Sequence, residues 1–362
     1  MTGTFSLDRR SILSAMALMP FASCHAAPAN TLQGVAAPAS MLFGTAVRAS
    51  QLFGDPLLNG MVARECGAIT PEIELKWAYV EKARGQLDFA DADRLAGFAA
   101  EHGKRMHGHA LIWHESVPPW AAQALADRPD WNIVNRFLAS VIPRYGAVTD
   151  TWDVVNEPVD ASGPSGMRTS SFFKAFGAGY VRRALEDARL FAPKARLFIN
   201  EYGVDYDNPA DRAKRRALLS LLEGLKKSGA PLDGIGVQAH LDLAKFSDFS
   251  EKVLSDFFNA LGDLGLEIRI SELDVKEAET WLPVNERDRR VAEATRQYLD
   301  VALANGAVGT VACWGLSDRY SWLPAPSVAA GLNRGLPLDG DFRRKPMYDA
   351  IAQALTKSAR RS

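Results

Sequence analysis

The feature that most constrains the fold is an alternation of apolar strand-like runs with helix-like segments, repeated eight times along the chain. The helix-like segments carry apolar residues spaced by about 3.6 positions, as amphipathic helices do. Several begin at Asp or Asn and end at Gly, which are helix-capping signals. Eight strand–helix units predict an α/β fold, a single (β/α)8 TIM barrel. The runs predicted as strands are 41–47, 68–74, 105–113, 149–157, 195–202, 234–241, 266–275 and 309–316.

The main structural alternative is a doubly wound open sheet, which usually carries a glycine-rich phosphate-binding turn after an early strand. Neither a GxGxxG nor a GxxxxGK[ST] pattern occurs in the sequence. The formal net charge of −1 gives no reason to expect a nucleic-acid or membrane-surface partner. Once the N-terminus is set aside, no apolar run in the sequence is long enough to span a bilayer. We expect a barrel protein that has no nucleic-acid partner and no membrane-spanning segment, and, as a separate expectation, a monomer.

The N-terminal segment has the pattern of a signal peptide. Arg9 and Arg10 precede an apolar stretch that is followed by small residues, and the paired arginines resemble a twin-arginine export signal. Cleavage is expected after Ala26. Lipidation at Cys24 is an alternative, which Phe21 disfavours because it fits a lipobox poorly. The sequence thus predicts export, to the periplasm or the medium.

The predicted domain organisation is a signal peptide over 1–26, a linker over 27–40 that is rich in small residues, and a catalytic barrel over 41–362. The remaining cysteines, Cys66 and Cys313, lie in or beside apolar segments far apart in the sequence. One disulfide is conceivable, but buried thiols are the preferred interpretation. No cysteine cluster suitable for zinc is present in the sequence.

Polar, titratable and indole side chains recur at the carboxyl ends of the predicted strands. In a barrel these ends form one rim, which is where active sites of such folds lie. Seven consecutive strands contribute such residues, so the rim is predicted to be a functional site. The residues are Glu74, Lys76 and Trp77; His107, His109, Trp113 and His114; Asn156 and Glu157; Asn200, Glu201 and Tyr202; Gln238 and His240; Glu272 and Asp274; and Trp314.

Two of these residues, Glu157 and Glu272, are carboxylates directly after apolar strands. Glycoside hydrolysis needs such a pair, one protonated to donate to the leaving oxygen and one ionised to attack the sugar carbon. His240 is expected to orient Glu272, and Asn156 to bond a sugar 2-hydroxyl. Pro158 is expected to hold Glu157 in the extended region. Flat apolar faces for sugar rings come from Trp77, Trp113, Trp314 and Trp322, and hydroxyl contacts from Lys76, His109 and Gln238.

Other interpretations of the same residues stay open at this point. A glutamate after a strand is often a helix cap or half of a surface ion pair, and tryptophans at strand ends can belong to the core. His107 and His109 form a His-x-His pattern, which is typical of metal-dependent hydrolases of amide or phosphate bonds. The other strand ends supply Glu, Trp and Gln rather than further metal ligands, which disfavours the metal interpretation.

The motifs together resemble glycoside hydrolase family 10, the endo-1,4-β-xylanases, from about residue 41 to the C-terminus. The matching stretches are TPEIELKW (70–77), HGHALIWH (107–114), WDVVNEP (152–158), GIGVQAHL (234–241), ISELDV (270–275) and CWGLSDRYSW (313–322). The resemblance implies a retaining hydrolase of xylan and xylo-oligosaccharides that needs no cofactor and no metal. Such a mechanism requires the two carboxyl groups to lie roughly 5–5.5 Å apart.

The resemblance also implies roles for individual residues. Glu157 would be the acid/base and Glu272 the nucleophile. The residues implied in contacts with sugar or with the catalytic carboxylates are Glu72, Lys76, His109, Trp113, Asn156, Gln238 and His240, with Trp314 and Trp322 as subsite tryptophans and Tyr202 at the fifth strand end.

The chain departs from the family pattern at several rim positions. Ile73 stands where the family usually has an Asn that bonds the sugar two positions to the non-reducing side of the cleavage point. We expect this subsite to be weaker, because a lost hydrogen bond of this kind costs about 1–3 kcal/mol. His107 replaces a common Arg, Glu201 a common Asp, and Gly203 a common Asn.

Two functional alternatives remain from the sequence. One is another barrel glycosidase, acting on cellulose, mannan or aryl glycosides. The other is a non-catalytic polysaccharide-binding protein on the same fold, since a fold alone does not decide function.

Overall fold

The computed structural model describes residues 28–324 and 331–360, so the predicted signal peptide lies outside the described residues. Within them, eight parallel strands form the barrel. They are β1 (Leu42–Val47), β2 (Ala68–Pro71), β3 (Arg105–Gly108), β4 (Thr151–Asn156), β5 (Arg196–Glu201), β6 (Gly234–Val237), β7 (Glu267–Lys276) and β8 (Val308–Cys313). Two short strands, Ile112–Trp113 and His240–Asp242, follow β3 and β6 and pair with β4 and β7.

The sheet closes on itself in sequence order. Each strand pairs in parallel with the next, and β8 returns to β1 with Leu42 opposite Thr310. On its other edge β1 pairs with β2, with Gly44 opposite Ala68. The predicted single (β/α)8 barrel is therefore confirmed, and all eight predicted strands are present.

The helices surround the barrel. The segment 171–193 matches one helical pattern in the sequence but divides in two around Gly177, whose φ of 65° is favourable for glycine and ends the first helix. The α-helices are α1 (Leu32–Ala36), α2 (Ala49–Gly54), α3 (Pro56–Glu65), α4 (Trp77–Val80), α5 (Ala90–Glu101), α6 (Pro119–Asp127), α7 (Asn132–Val141), α8 (Ser171–Phe176), α9 (Tyr180–Phe191), α10 (Pro209–Lys227), α11 (Glu251–Asp263), α12 (Val284–Ala302) and α13 (Pro346–Ala359). Short 3-10 turns occur at Ala37–Ala39, His114–Ser116, Pro143–Tyr145, Pro164–Gly166, Leu243–Asp248 and Asp318–Tyr320.

The segment predicted as a linker is folded where the structure describes it, from residue 28 onward. Helix α1 is capped by the Thr31 side chain, and Leu32 and Ala36 are completely buried. The backbone N–H of Leu32 donates to Glu65 at the end of α3 at 3.1 Å. The linker prediction is therefore wrong for this part. Small residues in the segment suggested flexibility, but the apolar side chain of Leu32 stabilises it by packing against the barrel.

The core fills both the barrel and the space between the barrel and its helices. Trp152 in β4 is completely buried, and a Cβ added at Gly108 in β3 would lie 2.0 Å from its ring. Glycine is therefore required at position 108. Cys66 and Cys313 are buried free thiols, as preferred from the sequence. Among the described residues no helix has the length and apolarity needed to cross a membrane.

Candidate active site

The candidate active site lies at the carboxyl ends of the barrel strands. Glu157 follows β4 directly, and Glu272 lies in the carboxyl half of β7. Of the rim residues predicted from the sequence, those in contact with these two carboxylates are Trp113, His114, Asn156, Asn200, Gln238 and His240. Trp77 is instead buried and stacks on Phe137 with ring centroids 5.0 Å apart, so it belongs to the core and not to a sugar-binding face.

The backbone at Glu157 differs from the extended geometry expected before Pro158. Its φ is 54°, in the left-handed region that non-glycine residues rarely occupy. Two hydrogen bonds hold this conformation: the Glu157 N–H donates to the Asn200 carbonyl at 2.8 Å, and the Arg168 Nε donates to the Glu157 carbonyl at 2.9 Å. Tertiary contacts thus override the local preference, and such strained residues are typical of functional sites.

The carboxylate of Glu157 is held by neutral donors. Trp113 Nε1 donates to Oε2 at 2.9 Å, and Gln238 Nε2 and Asn156 Nδ2 donate to Oε1 at 3.2 and 3.3 Å. His114 Nδ1 lies 3.9 Å from Oε2. Among the described residues no Lys or Arg side chain forms an ion pair with the Glu157 carboxylate, which these contacts orient towards the rim.

Glu272 has a different set of partners. It is 5% exposed, and Asn200 Nδ2 donates to its Oε1 at 2.6 Å while His240 Nε2 lies 3.2 Å from its Oε2. Burial alone would raise the pKa of Glu272, but the His240 hydrogen bond and the nearby His109, His240 and Lys76 outweigh it and lower the pKa. Glu272 is therefore kept ionised, as a nucleophile requires.

A hydrogen-bonded chain runs outward from Glu272. His240 Nδ1 lies 2.9 Å from Asp274 Oδ1, and Asp274 Oδ2 accepts from Trp322 Nε1 at 2.6 Å. Burial lowers the pKa of His240, but the carboxylates of Asp274 and Glu272 reverse this and hold the pKa well above its ordinary value. His240 is thus a cation that orients Glu272, and Trp322 is anchored through Asp274.

Two residues connect the carboxylates to each other. Asn200 Nδ2 donates to Glu272 and, at 2.9 Å, to Asn156 Oδ1, while Asn156 in turn donates to Glu157. Gln238 donates to Glu157 through its side chain, and its carbonyl accepts from the Glu272 N–H at 3.0 Å. The two acids therefore face the same cleft, at opposite ends of short hydrogen-bonded paths.

One side of this cleft is formed by Lys76, Trp113, Trp314 and His109. Lys76 Nζ lies 4.2 Å from the Trp113 ring centroid and 5.8 Å from that of Trp314. Burial lowers the pKa of Lys76 despite the nearby carboxylates, among them Glu272. The His109 ring meets the Trp314 ring edge to face at 5.1 Å. These side chains present apolar faces and donors suited to sugar rings.

The other side is formed around Tyr202, which is 38% exposed. Lys214 Nζ lies 3.3 Å from its ring centroid and 2.8 Å from the buried carboxylate of Glu201. Arg168 Nη2 donates to the Tyr202 hydroxyl at 3.2 Å. A cavity of about 630 Å³ opens here between the loops after β4 and β5 and helix α10. The larger Glu201, where Asp is common, reaches both Lys214 and the N–H of Val159.

The His-x-His pattern that suggested a metal has another explanation in the structure. His107 Nε2 and His109 Nδ1 lie 2.8 and 2.9 Å from the same oxygen, Asp153 Oδ2. Arg269 is buried nearby in β7, and burial together with Arg269 lowers the pKa of His107 to about 4. Within residues 28–324 and 331–360 no group of three or more His, Cys, Asp or Glu residues could hold a metal ion.

Asn200 and Asp274 were among the predicted rim residues, but the sequence assigned them no individual role, because their connecting roles depend on contacts between strands. Arg168 lies in the loop after β4, and no sequence signal pointed to it.

Glu72 lies at the rim, where Arg48 donates to its Oε1 at 2.5 Å.

A parallel barrel with two carboxylates facing one cleft, one held by neutral donors and one by a charged histidine, defines the class of glycoside hydrolases. Comparison with known families makes this more specific. The profile described as Glycosyl hydrolase family 10 matches residues 31–354, and the chain belongs to this family.

Individual relatives agree with the family assignment. The chain is 33% identical over 290 residues to endo-1,4-β-xylanase A of Phanerodontia chrysosporium, covering 79% of this chain and 67% of that protein. It is 32% identical over 287 residues to an endo-1,4-β-xylanase of Agaricus bisporus, covering 78% and 81%. Among solved structures, xylanase 10B from Thermotoga petrophila in complex with xylobiose is similar, with a TM-score of 0.81 and 28% identity over 91% of this chain and 98% of that one.

Proposed function

We propose that this protein hydrolyses internal β-1,4-xylosidic bonds in xylan and xylo-oligosaccharides, with retention of configuration at the anomeric carbon. The observation that carries the proposal is that two facing carboxylates have different surroundings. Glu157 is held by three neutral donors, whereas Glu272 is buried with a lowered pKa beside His240. The names of the relatives support the choice of xylan as substrate.

The mechanism follows from this arrangement as a double displacement. Glu157 donates a proton to the leaving glycosidic oxygen while the ionised Glu272 attacks the anomeric carbon, forming a glycosyl-enzyme. Glu157, now a carboxylate, accepts a proton from water, and this water cleaves the glycosyl-enzyme bond. We assign to Asn156 the contact with the 2-hydroxyl of the reacting sugar, and its hydrogen bonds to Asn200 and Glu157 support this assignment.

The remaining rim residues are assigned to substrate binding. Trp314 and Trp322 provide apolar faces, and Tyr202 lies on the opposite side of the cleft. Donors and acceptors for sugar hydroxyls come from Glu72, Lys76, His109, Trp113, Gln238 and His240.

The experiment that tests the proposal measures reducing-sugar release from glucuronoxylan, barley β-glucan and mannan. We expect the wild type to cut xylan, and Glu157→Ala and Glu272→Ala to abolish the cutting. Glu186→Ala removes an exposed glutamate of α9 paired with Arg182 and is the matched control. Cleavage of mannan or β-glucan in preference to xylan would favour another barrel glycosidase. Binding of xylan without any cleavage would favour a polysaccharide-binding protein.

We further propose that the protein is exported after removal of residues 1–26 and acts as a monomer. The basic pair and apolar stretch of the N-terminus support export. Mass spectrometry of the mature N-terminus tests the cleavage site and separates it from lipidation at Cys24. Light scattering of the purified protein tests the oligomeric state.

A further inference from the structure

Arg48 lies beside Glu72 at the rim of the barrel. Arg48 follows β1 directly and Glu72 follows β2, and the Glu72 N–H donates to the Val47 carbonyl at 2.9 Å. This backbone bond aligns the two strand ends, so that both side chains emerge together. Arg48 Nη2 donates to Glu72 Oε1 at 2.5 Å. The exposed fraction of the side chain is 39% for Arg48 and 11% for Glu72.

The next acid along the chain does not compete for Arg48. Glu74 is 1% exposed and accepts from the N–H groups of Ala49 at 2.7 Å and Ile73 at 3.2 Å. Its carboxylate thus caps α2 and faces the backbone. Glu72 is the carboxylate that remains at the rim for Arg48.

The Arg48–Glu72 pair has unused hydrogen-bonding capacity. Arg48 Nε is buried and has no hydrogen-bond partner, so it is not available to a sugar. Among residues 28–324 and 331–360, the hydrogen bond from Nη2 to Glu72 Oε1 is the one that joins the two side chains, and Arg48 Nη1 and Glu72 Oε2 make none. The pair therefore offers a donor and an acceptor side by side, which is the complement of two neighbouring sugar hydroxyls. Lys76 is close enough for its pKa to be raised by Glu72 and lowered by Arg48, so the pair adjoins the Lys76–Trp113 side of the cleft.

Ile73, between Glu72 and Glu74, has no polar atom in its side chain. It is half-buried and cannot donate to a sugar. The side chain on the neighbouring strand that can do so is Arg48. Its guanidinium is held in place by Glu72, so less conformational freedom is lost when a sugar binds.

We propose that Arg48, together with Glu72, binds the hydroxyls of the second xylosyl residue on the non-reducing side of the cleavage point, and supplies there the donor that Ile73 lacks. This inference rests on the proposed function, because it assigns a subsite of the same cleft. Arg48 would then increase the preference of the enzyme for substrates with two sugars, rather than one, on the non-reducing side of the cleavage point.

The test compares 4-nitrophenyl β-xylobioside, whose glycone has two sugars, with 4-nitrophenyl β-xyloside, whose glycone has one. In Arg48→Met we expect kcat/KM on the xylobioside to fall by about 10-fold, as for loss of a hydrogen bond to a charged donor. We expect kcat/KM on the xyloside to change by less than about 2-fold, because no atom of that substrate reaches the pair. Equal losses on both substrates, or no loss on either, would overturn the inference.

Two further variants separate binding from folding. Arg182→Met removes an exposed arginine that is paired with Glu186 on α9, and is the matched control. Arg48→Lys keeps a positive charge beside Glu72 but loses the second donor of the guanidinium. It is expected to be folded and to show the same selective loss on the xylobioside. Full xylobioside activity in Arg48→Lys would overturn the role of the two guanidinium donors.

A binding measurement distinguishes failure of this inference from failure of the proposed function. In a Glu272→Gln background, calorimetry with xylotriose is expected to show about 10-fold weaker binding when Arg48→Met is added. Unchanged affinity overturns the role of Arg48 even if the wild type cuts xylan. Weakened affinity supports it even if the wild type cuts none of the polymers.

Discussion

Asn200 Nδ2 lies 2.6 Å from Glu272 Oε1 and 2.9 Å from Asn156 Oδ1. One amide group thus fixes the positions of Glu272 and of Asn156, the residue next to Glu157, relative to each other. The side-chain oxygen of Asn200, Oδ1, accepts a hydrogen bond from the Ser271 hydroxyl at 2.6 Å, and this bond determines the orientation of the amide. A Cβ at Gly236 would lie 2.1 Å from that oxygen, so the glycine leaves the room that Asn200 needs.

The first prediction concerns this amide group. Asn200→Ala is expected to lower kcat on xylan by about 10–100-fold with a smaller change in KM, because orientation of Glu272 matters most in the transition state. Gly236→Ala is expected to lower kcat in the same direction by displacing Asn200. Steady-state kinetics on soluble xylan is the measurement, with the exposed Asn259→Ala as control. A rise in KM alone, with kcat unchanged, would contradict the prediction.

The second prediction concerns the pH profile. Burial raises the pKa of Glu272, and the His240 hydrogen bond is the first of the contacts that lower it. Replacing His240 by Asn removes a hydrogen-bonded cation, so the pKa of Glu272 rises and the carboxylate is protonated at higher pH. We expect the acidic limb of kcat/KM to move to higher pH in His240→Asn.

The control for this profile is His102→Asn, which changes an exposed histidine at the end of α5. The prediction fails when the acidic limb of His240→Asn stays in place or moves to lower pH. A fall in kcat at all pH values, without movement of the limb, would mean that His240 only packs against Trp322.

The third prediction distinguishes the roles of Glu157 and Glu272 by comparing substrates with different leaving groups. Glu157→Ala is expected to lower kcat/KM on xylan by about 10²–10⁴-fold, since general acid catalysis is lost. A 2,4-dinitrophenyl xylobioside needs no protonation to depart, so its aglycone is still released in an initial burst, and added azide restores turnover. Glu272→Ala is expected to show neither the initial burst of aglycone nor restored turnover with azide. Equal loss on both substrates in Glu157→Ala would place that residue in another role.

The fourth prediction concerns Ile73. Ile73→Asn introduces an amide next to the Arg48–Glu72 pair and is expected to raise kcat/KM on xylotriose and xylotetraose by several-fold, about the effect of one hydrogen bond. The gain is expected to be larger when Arg48 is Met, because the two side chains serve the same subsite. Unchanged kinetics on both oligosaccharides would show that Ile73 does not weaken this subsite.

The fifth prediction concerns stability at acid pH. His107 has a pKa lowered to about 4, so in the folded state it stays neutral while the unfolded chain, with a pKa of 6.5, takes up a proton. Its contribution to stability is therefore present above pH 6.5 and is lost as the pH falls towards 4. By linkage the loss is about 3 kcal/mol.

The measurement is urea unfolding of the wild type and His107→Asn between pH 7 and pH 4. Asp205 and Asp318, whose pKa values burial raises to about 6, titrate in the same window with the opposite sign. The difference between the two proteins isolates His107, and the wild type is expected to lose more free energy of unfolding than the variant. Parallel pH curves would contradict the prediction.

Much of the fold was predictable because its signals are local. Apolar strand-like runs and apolar patterns of period 3.6 depend on neighbouring residues only, so all eight strands were found, with ends within a few residues of those observed. Glu157 and Glu272 stand at strand ends within recognisable motifs. The sequence also identified most of the rim, because parallel strands in a barrel bring their carboxyl ends to one face.

Other features depended on contacts between distant segments. The segment around Leu32 looked like a linker because its small residues give no hint of the surface on which it packs. Trp77 looked like a sugar platform, but its stacking on Phe137 is decided by where α7 lies. Glu157 was expected to be extended, and hydrogen bonds from Arg168 and to Asn200 hold it at positive φ instead.

By itself, the sequence determined the barrel, the two acids and the order in which side chains reach the rim, because strand and helix periods and strand ends are properties of short stretches. The tertiary structure alone decided how those side chains are partnered. Asn200 bridges β5 to β4 and β7, and Arg48 bridges β1 to Glu72 after β2. Hydrogen bonds and charge interactions act over a few ångströms, so their partners become known only when the closed barrel brings separate strands side by side.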